Sequence, residues 1–408
     1  MGDMPVALNE TQNNVCKLIS AAMFRRNESF SDTTDWEAVY NEMRAQTSQG
    51  LVLDILPELS ISDALKKVWR SDCYQTIKTG IKLRYEQGEL LSLFEKAGIP
   101  YVILKGTAAA MYYPNPMLRG MGDIDVYIPL PYHEEVRELL NSNGYALKEK
   151  KNQYRKKYIR HITYYKDGIE FEIHRAFAMI NSAKERMFVD SLLEQCCRDD
   201  SKTIRNSQGD SSFLAPQTNV NGIVLLEHIG QHMLDGLGLR QITDWMMFVN
   251  ASLHDSEWIS FRKLAQEAGL EKLAKTVTKM CVKYFGLQGS YDWCMDADDK
   301  NVEKILTYLF ESGNFGTKFG EASQVVAVTT HFKRSTNYFS TLQATGEYNW
   351  ELYKKHHWLK PFAWLYQIFR YTGQALMSPN FMKKFIKGSS AVRRRFELMK
   401  SLGIYKKV

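Results

Sequence analysis

Two aspartates separated by one residue, Asp123 and Asp125, form the pair in this sequence best suited to bind a metal ion. The segment Arg119–Ile128 reads as a loop that enters a β-strand, and alternation along a strand directs both carboxylates to one face. Two such charges repel each other and resist ionising together unless a positive group lies between them. Because a hard divalent cation bound by carboxylate oxygens meets that need, the pair predicts a metal-dependent reaction.

A predicted β-hairpin supplies the third carboxylate. Its strands, Tyr158–Tyr165 and Ile169–His174, flank Asp167–Gly168, a dipeptide that favours tight hairpin turns. On the second strand, Glu172 shares one face with Glu170. Three carboxylates on neighbouring strands can hold two metal ions, which clamp the attacking and leaving oxygens of an in-line displacement. Glu172 is the first candidate for the third ligand and Glu170 the second.

A Lys-Gly turn precedes the aspartates and suits a phosphate group. The apolar strand Tyr101–Leu104 runs into Lys105–Gly106, which opens a short small-residue helix, Thr107–Tyr112. Glycine at such a turn lets phosphate approach backbone N–H groups and the positive end of the helix. Lys105 as a point charge and Arg119 by bidentate contact could neutralise a triphosphate.

The order of predicted elements indicates an α+β protein with three regions. Residues 1–97 show helical periodicity that ends at Gly98-Ile-Pro100, since glycine caps a helix and proline cannot continue it. Residues 98–200 form a small mixed-sheet α/β core that includes a helix over Pro131–Asn143. Residues 215–408 are predicted to be a helical C-terminal domain with a basic tail.

Several of these motifs together resemble the uncharacterised nucleotidyltransferase family of the DNA polymerase beta superfamily. They are Leu104-Lys-Gly106, the Tyr-Pro-x-Pro-x-x-Arg run Tyr113–Arg119, Asp123-Ile-Asp125 and Phe171-Glu-Ile-His174. A second match, Gly238–Trp245, resembles the helical half of the same family. Residues 90–175 carry most of the resemblance.

The resemblance implies a fold, a reaction and a set of site residues. Asp123, Asp125 and Glu172 match the superfamily's metal-binding carboxylates, which hold two Mg²⁺ ions. A nucleoside triphosphate (NTP) is the substrate, and its NMP group passes to an acceptor as pyrophosphate leaves. Asp125 or Glu172 is the expected base. Members are frequent in bacteria, often near polysaccharide biosynthesis, so a sugar or polysaccharide precursor is one acceptor candidate.

The turn departs from the superfamily's usual Gly-Gly or Gly-Ser pattern, because Lys105-Gly106-Thr107 stands there. Whether Thr107 takes the serine's usual role toward the triphosphate is open. Glutamate at position 172 instead of aspartate adds one methylene to the third ligand.

Histidines and one arginine are further candidates, each with a structural alternative. His174 could orient a carboxylate, contact a phosphate, act as a base or be a buried histidine. His228 and His232 share a helix face, where a structural or substrate-facing role is favoured over metal binding. Arg240 could contact the nucleotide or acceptor, or form a helix salt bridge with Asp244.

Charge is concentrated at the C-terminus. The chain of 408 residues has a net charge of +7, yet residues 354–408 hold thirteen Lys or Arg against one acidic residue. That tail predicts an anionic partner, such as nucleic acid or an acidic membrane surface, or a solvated helical face. A cytoplasmic location is expected, since no signal peptide, membrane-spanning run or CxxC spacing is visible.

Two other functions fit parts of the pattern. A nucleotide- or RNA-binding module could keep this fold without chemistry, although such a module has no need for three grouped carboxylates. A metal-dependent glycosyltransferase can also use an Asp-x-Asp pair, but it does not explain the Lys105–Gly106 turn or the Phe171–His174 strand. The sequence therefore favours nucleotidyl transfer.

Overall fold

A five-stranded mixed sheet packed between helices is the centre of this α+β protein. The computed structural model describes residues 8–147, 160–209, 211–322, 343, 346–347, 350, 352–353, 356–377 and 393–404. Among the helices of these ranges, none is both long and apolar enough to cross a membrane.

Helices dominate both ends of the chain. Three precede the first strand: α1 (Glu10–Phe24), α2 (Trp36–Ala45) and α3 (Asp63–Ala97). Three lie among the strands: α4 (Gly106–Ala110), α5 (His133–Ser142) and α6 (Ala183–Arg198). The later ones are α7 (Thr218–Asp235), α8 (Leu239–Ser252), α9 (Asp255–Glu267), α10 (Glu271–Tyr284), α11 (Asp299–Ser312), α12 (Ala363–Met377) and a helix over 393–401.

The sheet has the strand order β1-β2-β5-β4-β3. Its strands are β1 (Val102–Leu104), β2 (Ile124–Tyr127), β3 (Ala146–Leu147), β4 (His161–Lys166) and β5 (Ile169–His174). β2 and β5 pair in parallel, and the other neighbours pair antiparallel. The predicted hairpin is confirmed, with φ of +50° at Asp167 and +77° at Gly168 in its turn. The central pairing places the two strands with acidic residues side by side.

Local signals set both ends of the long helix α3, and its end at Gly98 confirms the prediction from the sequence. The Ser62 side chain accepts a hydrogen bond from the Leu65 N–H at its start. Gly98 ends the helix with φ of +68°, a conformation that glycine adopts without the strain of a side chain. Leu90 and Phe94 of α3 are buried against the sheet, together with Phe171 of β5.

A second hairpin, β6 (Thr203–Gln208) and β7 (Ser211–Pro216), lies between the predicted regions. The sequence pattern had left this segment unassigned. Phe213 is buried with the residues on one face of the sheet. Gln208 accepts a hydrogen bond from Arg84 Nε and donates one to the Thr107 carbonyl. The hairpin thereby ties α3 to the start of α4.

One hydrophobic core joins helices from the two ends of the chain. Val15 of α1, Trp69 of α3 and Trp245 of α8 belong to it. The N-terminal helices therefore rest on the C-terminal helices as well as on the sheet. The division of the chain at residues 97, 200 and 215 stays a prediction.

The basic tail is described only in part. Of residues 354–408 the structure describes 356–377 and 393–404, whereas residues 354–355, 378–392 and 405–408 lie outside the described ranges. Binding of nucleic acid or an acidic membrane by the tail stays a prediction.

Gly222 in α7 allows close helix packing, which generates a stability prediction. A Cβ at this position would lie 2.4 Å from Phe248 Cζ and 2.7 Å from Phe261 Cε2, on rings that are fully buried. Gly222→Ala should therefore lower the free energy of unfolding by about 1–3 kcal/mol through overpacking. Urea denaturation measures the change.

Gly88→Ala is the matched control, because the nearest atom to its Cβ is Ser211 Oγ at 3.7 Å, an ordinary contact. Alanine should raise the stability there by about 0.5–1 kcal/mol through helix propensity. Equal stabilisation by both substitutions would contradict the packing argument.

Candidate functional site

Three carboxylates meet where β2 and β5 lie side by side. Asp125 is directly opposite Glu172 in the parallel register, and Asp123 comes one residue before β2 begins. One oxygen from each of the three lies within 4.8 Å of the others. The sequence pattern of alternate aspartates thus becomes a compact oxygen cluster.

Glu170, the second candidate for the third carboxylate, points elsewhere. Its carboxylate accepts a hydrogen bond from the Tyr165 hydroxyl at 2.7 Å. It lines a neighbouring cavity, and among the described residues the oxygen cluster forms with Glu172 instead.

The Lys105–Gly106 turn delivers an ammonium group to the cluster. Lys105 has φ of +53°, which is uncommon for a residue with a side chain, and Gly106 has φ of +33°. This backbone aims Lys105 Nζ at Asp125 Oδ1, 2.7 Å away. The following helix α4 has five residues, so the expected contribution of its positive end to phosphate binding is small.

Two histidines also contact the carboxylates. His174 Nε2 lies 2.8 Å from Asp125 Oδ1 and 3.4 Å from Glu172 Oε2. His161 Nε2 lies 3.2 Å from Glu172 Oε1, and the two imidazole rings are 5.0 Å apart. Sequence reasoning missed His161, although the two-residue turn of the hairpin sets the register that pairs it with His174.

Neighbouring charges and burial shift the pKa values of the residues in the cluster. The negative charge of Asp125, with burial, raises the pKa of Asp123 to about 6. Burial would raise the pKa of Asp125 too, but Lys105 and His174 outweigh burial and lower it. Burial would lower the pKa of His174, whereas its hydrogen bonds to Asp125 and Glu172 raise it. The protein's own cations thus offset part of the negative charge, and a bound cation would offset more.

Arg119 is held by a buried bidentate ion pair. Its Nε lies 2.9 Å from Asp244 Oδ1, and its terminal nitrogen lies 2.6 Å from Oδ2. Tyr113 donates a third hydrogen bond to the same carboxylate, at 2.8 Å. Asp244 therefore pairs with Arg119, not with Arg240 as the helical spacing had suggested. The pair fixes α8 against the loop that leads to Asp123.

Arg240 brings a second guanidinium to the same region. It donates to the Gly120 carbonyl at 3.5 Å, and its Nε has no hydrogen-bond partner among the described residues. Burial and the charge of Arg119 lower the pKa of Arg240. Because Asp244 is committed to Arg119, Arg240 is the better placed of the two to bind an incoming anion.

The three carboxylates and both arginines line a cavity of about 270 Å³, here called the carboxylate cleft. The residues that line it include Lys105, Asp123, Glu172, His228 and Arg240. The cleft combines a cluster of hard oxygen ligands with cations, which is the composition that a metal-bound polyphosphate requires.

Comparison with known proteins places the chain in a family. A family model described as an uncharacterised nucleotidyltransferase matches residues 32–286. The chain belongs to this family. The matched residues include the cleft's carboxylates and both arginines, so membership supports a general nucleotidyl-transfer function and an NTP substrate. A search of curated proteins found no match.

Thr107 is not brought together with the other predicted site residues. Its side chain is fully buried, and its hydroxyl donates to Gln87 Oε1 of α3 at 2.9 Å. The threonine thus fastens α4 to α3. Its hydroxyl is thereby directed toward α3, and Thr107 does not line the carboxylate cleft.

His228 and His232 line the cleft but lie apart from the oxygen cluster. Their rings are 4.6 Å apart, and His232 Nδ1 lies 3.2 Å from the Gly236 carbonyl. In the described part of the chain, neither belongs to a group of residues that could hold a metal. Burial and the neighbouring imidazole lower the pKa of His228, and burial and the charge of Arg240 lower the pKa of His232, which favours the neutral form of both rings.

The Arg119–Asp244 pair generates a stability prediction. Asp244→Asn should lower the free energy of unfolding by about 3–5 kcal/mol, because it leaves a buried guanidinium without its counter-charge. Asp296→Asn is the control, since Asp296 is 69% exposed in its ion pair with Lys275. That substitution should lower the free energy of unfolding by less than about 1 kcal/mol. Urea denaturation measures both, and similar losses would argue against the buried pair.

The buried His232 generates a pH prediction. Burial and the charge of Arg240 lower its pKa from 6.5 to about 3 in the folded state. The unfolded chain therefore binds more protons below pH 6.5, and stability should fall as the pH drops from 6.5 toward 3. His232→Gln should flatten this dependence in urea denaturation between pH 6.5 and 4. An unchanged slope would show that His232 is not a source of the acid sensitivity.

Proposed function

We propose that the protein transfers an NMP group from an NTP to an acceptor and releases pyrophosphate. The observation that carries the proposal is the cluster of Asp123, Asp125 and Glu172 oxygens beside Lys105, in a chain of a nucleotidyltransferase family. The residues Lys105, Gly106, Arg119, His174 and Arg240 form its cationic and structural surroundings.

The donor set fits Mg²⁺. All three ligands are carboxylate oxygens, which hard divalent cations prefer, and their oxygens already lie within 4.8 Å of one another. Lys105 and His174 both meet Asp125 at Oδ1, so we assign its Oδ2 to a cation. We infer two ions, as three carboxylates of a two-metal site would hold. When bound, they supply charge neutralisation of the phosphates and a lower pKa for the acceptor.

The reaction is an in-line displacement at the α-phosphorus. An acceptor oxygen forms a bond to phosphorus while the bond to the pyrophosphate oxygen breaks, and pyrophosphate takes that electron pair. The acceptor's proton passes to a carboxylate. Glu172 is the better placed base, since its contacts to His161 and His174 are 3.2 and 3.4 Å, whereas Asp125 Oδ1 accepts two shorter bonds.

Positive side chains stabilise the charge that moves to pyrophosphate. Arg240 faces the cleft and can bind phosphate oxygens through its guanidinium. Lys105 meets the cluster at Asp125 and adds a point charge there. Arg119 is a positioning residue, because its bond to Asp244 holds the loop before Asp123. His174 likewise orients Asp125 and Glu172.

Removing the paired aspartates should weaken cation binding and abolish transfer. Asp123→Asn combined with Asp125→Asn takes away two of three charged ligands while the strand is retained. Mn²⁺ binding followed by electron paramagnetic resonance should weaken by more than about tenfold, a loss of about 1.4 kcal/mol or more. NTP-dependent pyrophosphate release should disappear, and circular dichroism should stay as in the wild type.

Glu172→Gln and Glu170→Gln form a matched pair on the same strand. Glu172→Gln should weaken Mn²⁺ binding, whereas Glu170→Gln should retain it because Glu170 accepts a hydrogen bond from Tyr165 outside the cluster.

Transfer that persists in the double aspartate variant would contradict the mechanism. Release of UDP from a UDP-sugar, without pyrophosphate from any NTP, would favour a glycosyltransferase.

A further inference from the structure

A second cavity of about 600 Å³ opens beside the carboxylate cleft. Its walls come from the end of α2, the turn after it, one side of α3 and the loop before β2, together with residues of β5, α8 and the segment after α11. We call it the N-terminal cavity, and its lining includes Thr47, Gln49, Thr76, Thr79, Asp123 and Arg240. Its size lies within the range of small-molecule sites.

The two cavities meet at the reacting site. Gly122, Asp123, Arg240 and Phe315 line both of them. A molecule held in the N-terminal cavity therefore lies against one carboxylate of the metal cluster. An acceptor needs that position in order to bring its nucleophile to the α-phosphorus of an NTP in the carboxylate cleft.

The lining of the N-terminal cavity combines apolar surface with polar side chains and carries little free positive charge. Threonine hydroxyls and the amides of Gln49, Gln75 and Asn314 provide donors and acceptors. Its charged side chains are Arg44, Arg240, Asp72, Asp123 and Glu170. Carboxylates thus outnumber guanidiniums, and Arg44 is already paired with Asp72 at 3.1 Å. Such a lining suits an uncharged ligand with several hydroxyls and disfavours a phosphate monoester.

Polar atoms around this cavity lack partners. Thr47 Oγ1, Gln49 Oε1 and Arg240 Nε are buried and have no hydrogen-bond partner among the described residues. Buried polar atoms are nearly always hydrogen-bonded in native proteins, so three such atoms around one cavity require an explanation.

Residues with a strained backbone line the two cavities. Five residues other than glycine have positive φ in the described ranges. Asp167 lies in the hairpin turn and Arg25 ends α1, where such values are ordinary. The other three, Thr47, Lys105 and Phe315, all line one or both of the two cavities. Strain of this kind persists where the surrounding structure holds a residue in position, as in binding sites.

We propose that the N-terminal cavity is the acceptor pocket and that the acceptor is an uncharged, hydroxyl-bearing molecule without a phosphate group. This inference rests on the proposed nucleotidyl transfer. The acceptor's hydroxyl oxygen bonds to the α-phosphorus of the NTP, pyrophosphate leaves, and the hydroxyl proton passes to Glu172. The N-terminal helices α2 and α3 thereby determine which acceptor reacts.

Filling the cavity tests the assignment without knowledge of the natural acceptor. Thr79 is exposed at the cavity wall on α3, where Thr79→Trp would occupy the space. Ile81→Trp is the matched control, because Ile81 is on the same helix, 55% exposed and outside both linings. The probes are glycerol, myo-inositol and methyl α-glucoside, each compared with its monophosphate. Saturation-transfer NMR measures their binding with Mg²⁺ and a non-hydrolysable NTP present.

The neutral probes should give signals with the wild type and with Ile81→Trp, and signals reduced by about tenfold with Thr79→Trp. Affinity for the NTP analogue, measured by calorimetry, should stay within about twofold in all three proteins. Tenfold weaker NTP binding in Thr79→Trp would assign the cavity to the nucleoside and overturn the proposal.

Stronger binding of the monophosphates than of the neutral probes would also overturn the proposal. So would neutral-probe signals that Thr79→Trp leaves unchanged. The absence of any neutral-probe signal with the wild type would overturn it as well. A wild type that binds the neutral probes but no NTP analogue would refute the proposed nucleotidyl transfer instead.

Discussion

Electrostatic repulsion among three neighbouring carboxylates is the constraint on which this site depends. The parallel pairing of β2 and β5 forces Asp125 against Glu172, and Asp123 adds a third charge. The protein offsets part of that charge with Lys105 and His174, both of which reach the same oxygen of Asp125. Asp123 receives the least help, and its pKa is raised accordingly. A bound cation would offset the negative charge that remains.

Distant parts of the chain cooperate to hold this arrangement. The Arg119–Asp244 pair joins the loop before β2 to α8, and Thr107 joins α4 to α3. The shared hydrophobic core places the N-terminal helices on the C-terminal ones. Asp123 lies where two cavities with different walls meet, and α2 and α3 form part of the wall of one of them.

Local patterns in the sequence predicted the parts of the site that depend on short-range geometry. Alternation placed Glu172 and His174 on one face of β5, and the Asp167–Gly168 turn predicted the hairpin. The same turn contained the signal for His161, since a two-residue loop sets the strand register. That residue could therefore have been found from the sequence.

Long-range contacts could not be predicted in this way. Asp244 lies 125 residues after Arg119, and helical spacing alone suggested Arg240 as its partner. The inward rotation of Thr107 depends on α3 and on the hairpin β6–β7, whose strands gave no clear signal. Cavities also have no local sequence signature, because their walls combine residues from separate elements.

The central claim is that Asp123, Asp125 and Glu172 form one centre for divalent cations. Anomalous diffraction from crystals grown with Mn²⁺ and a non-hydrolysable NTP tests it most directly. Our account predicts anomalous peaks bounded by these three carboxylates, with the triphosphate beside them in the carboxylate cleft. Ordered NTP without a peak there, or a peak at His228 and His232 instead, would contradict it.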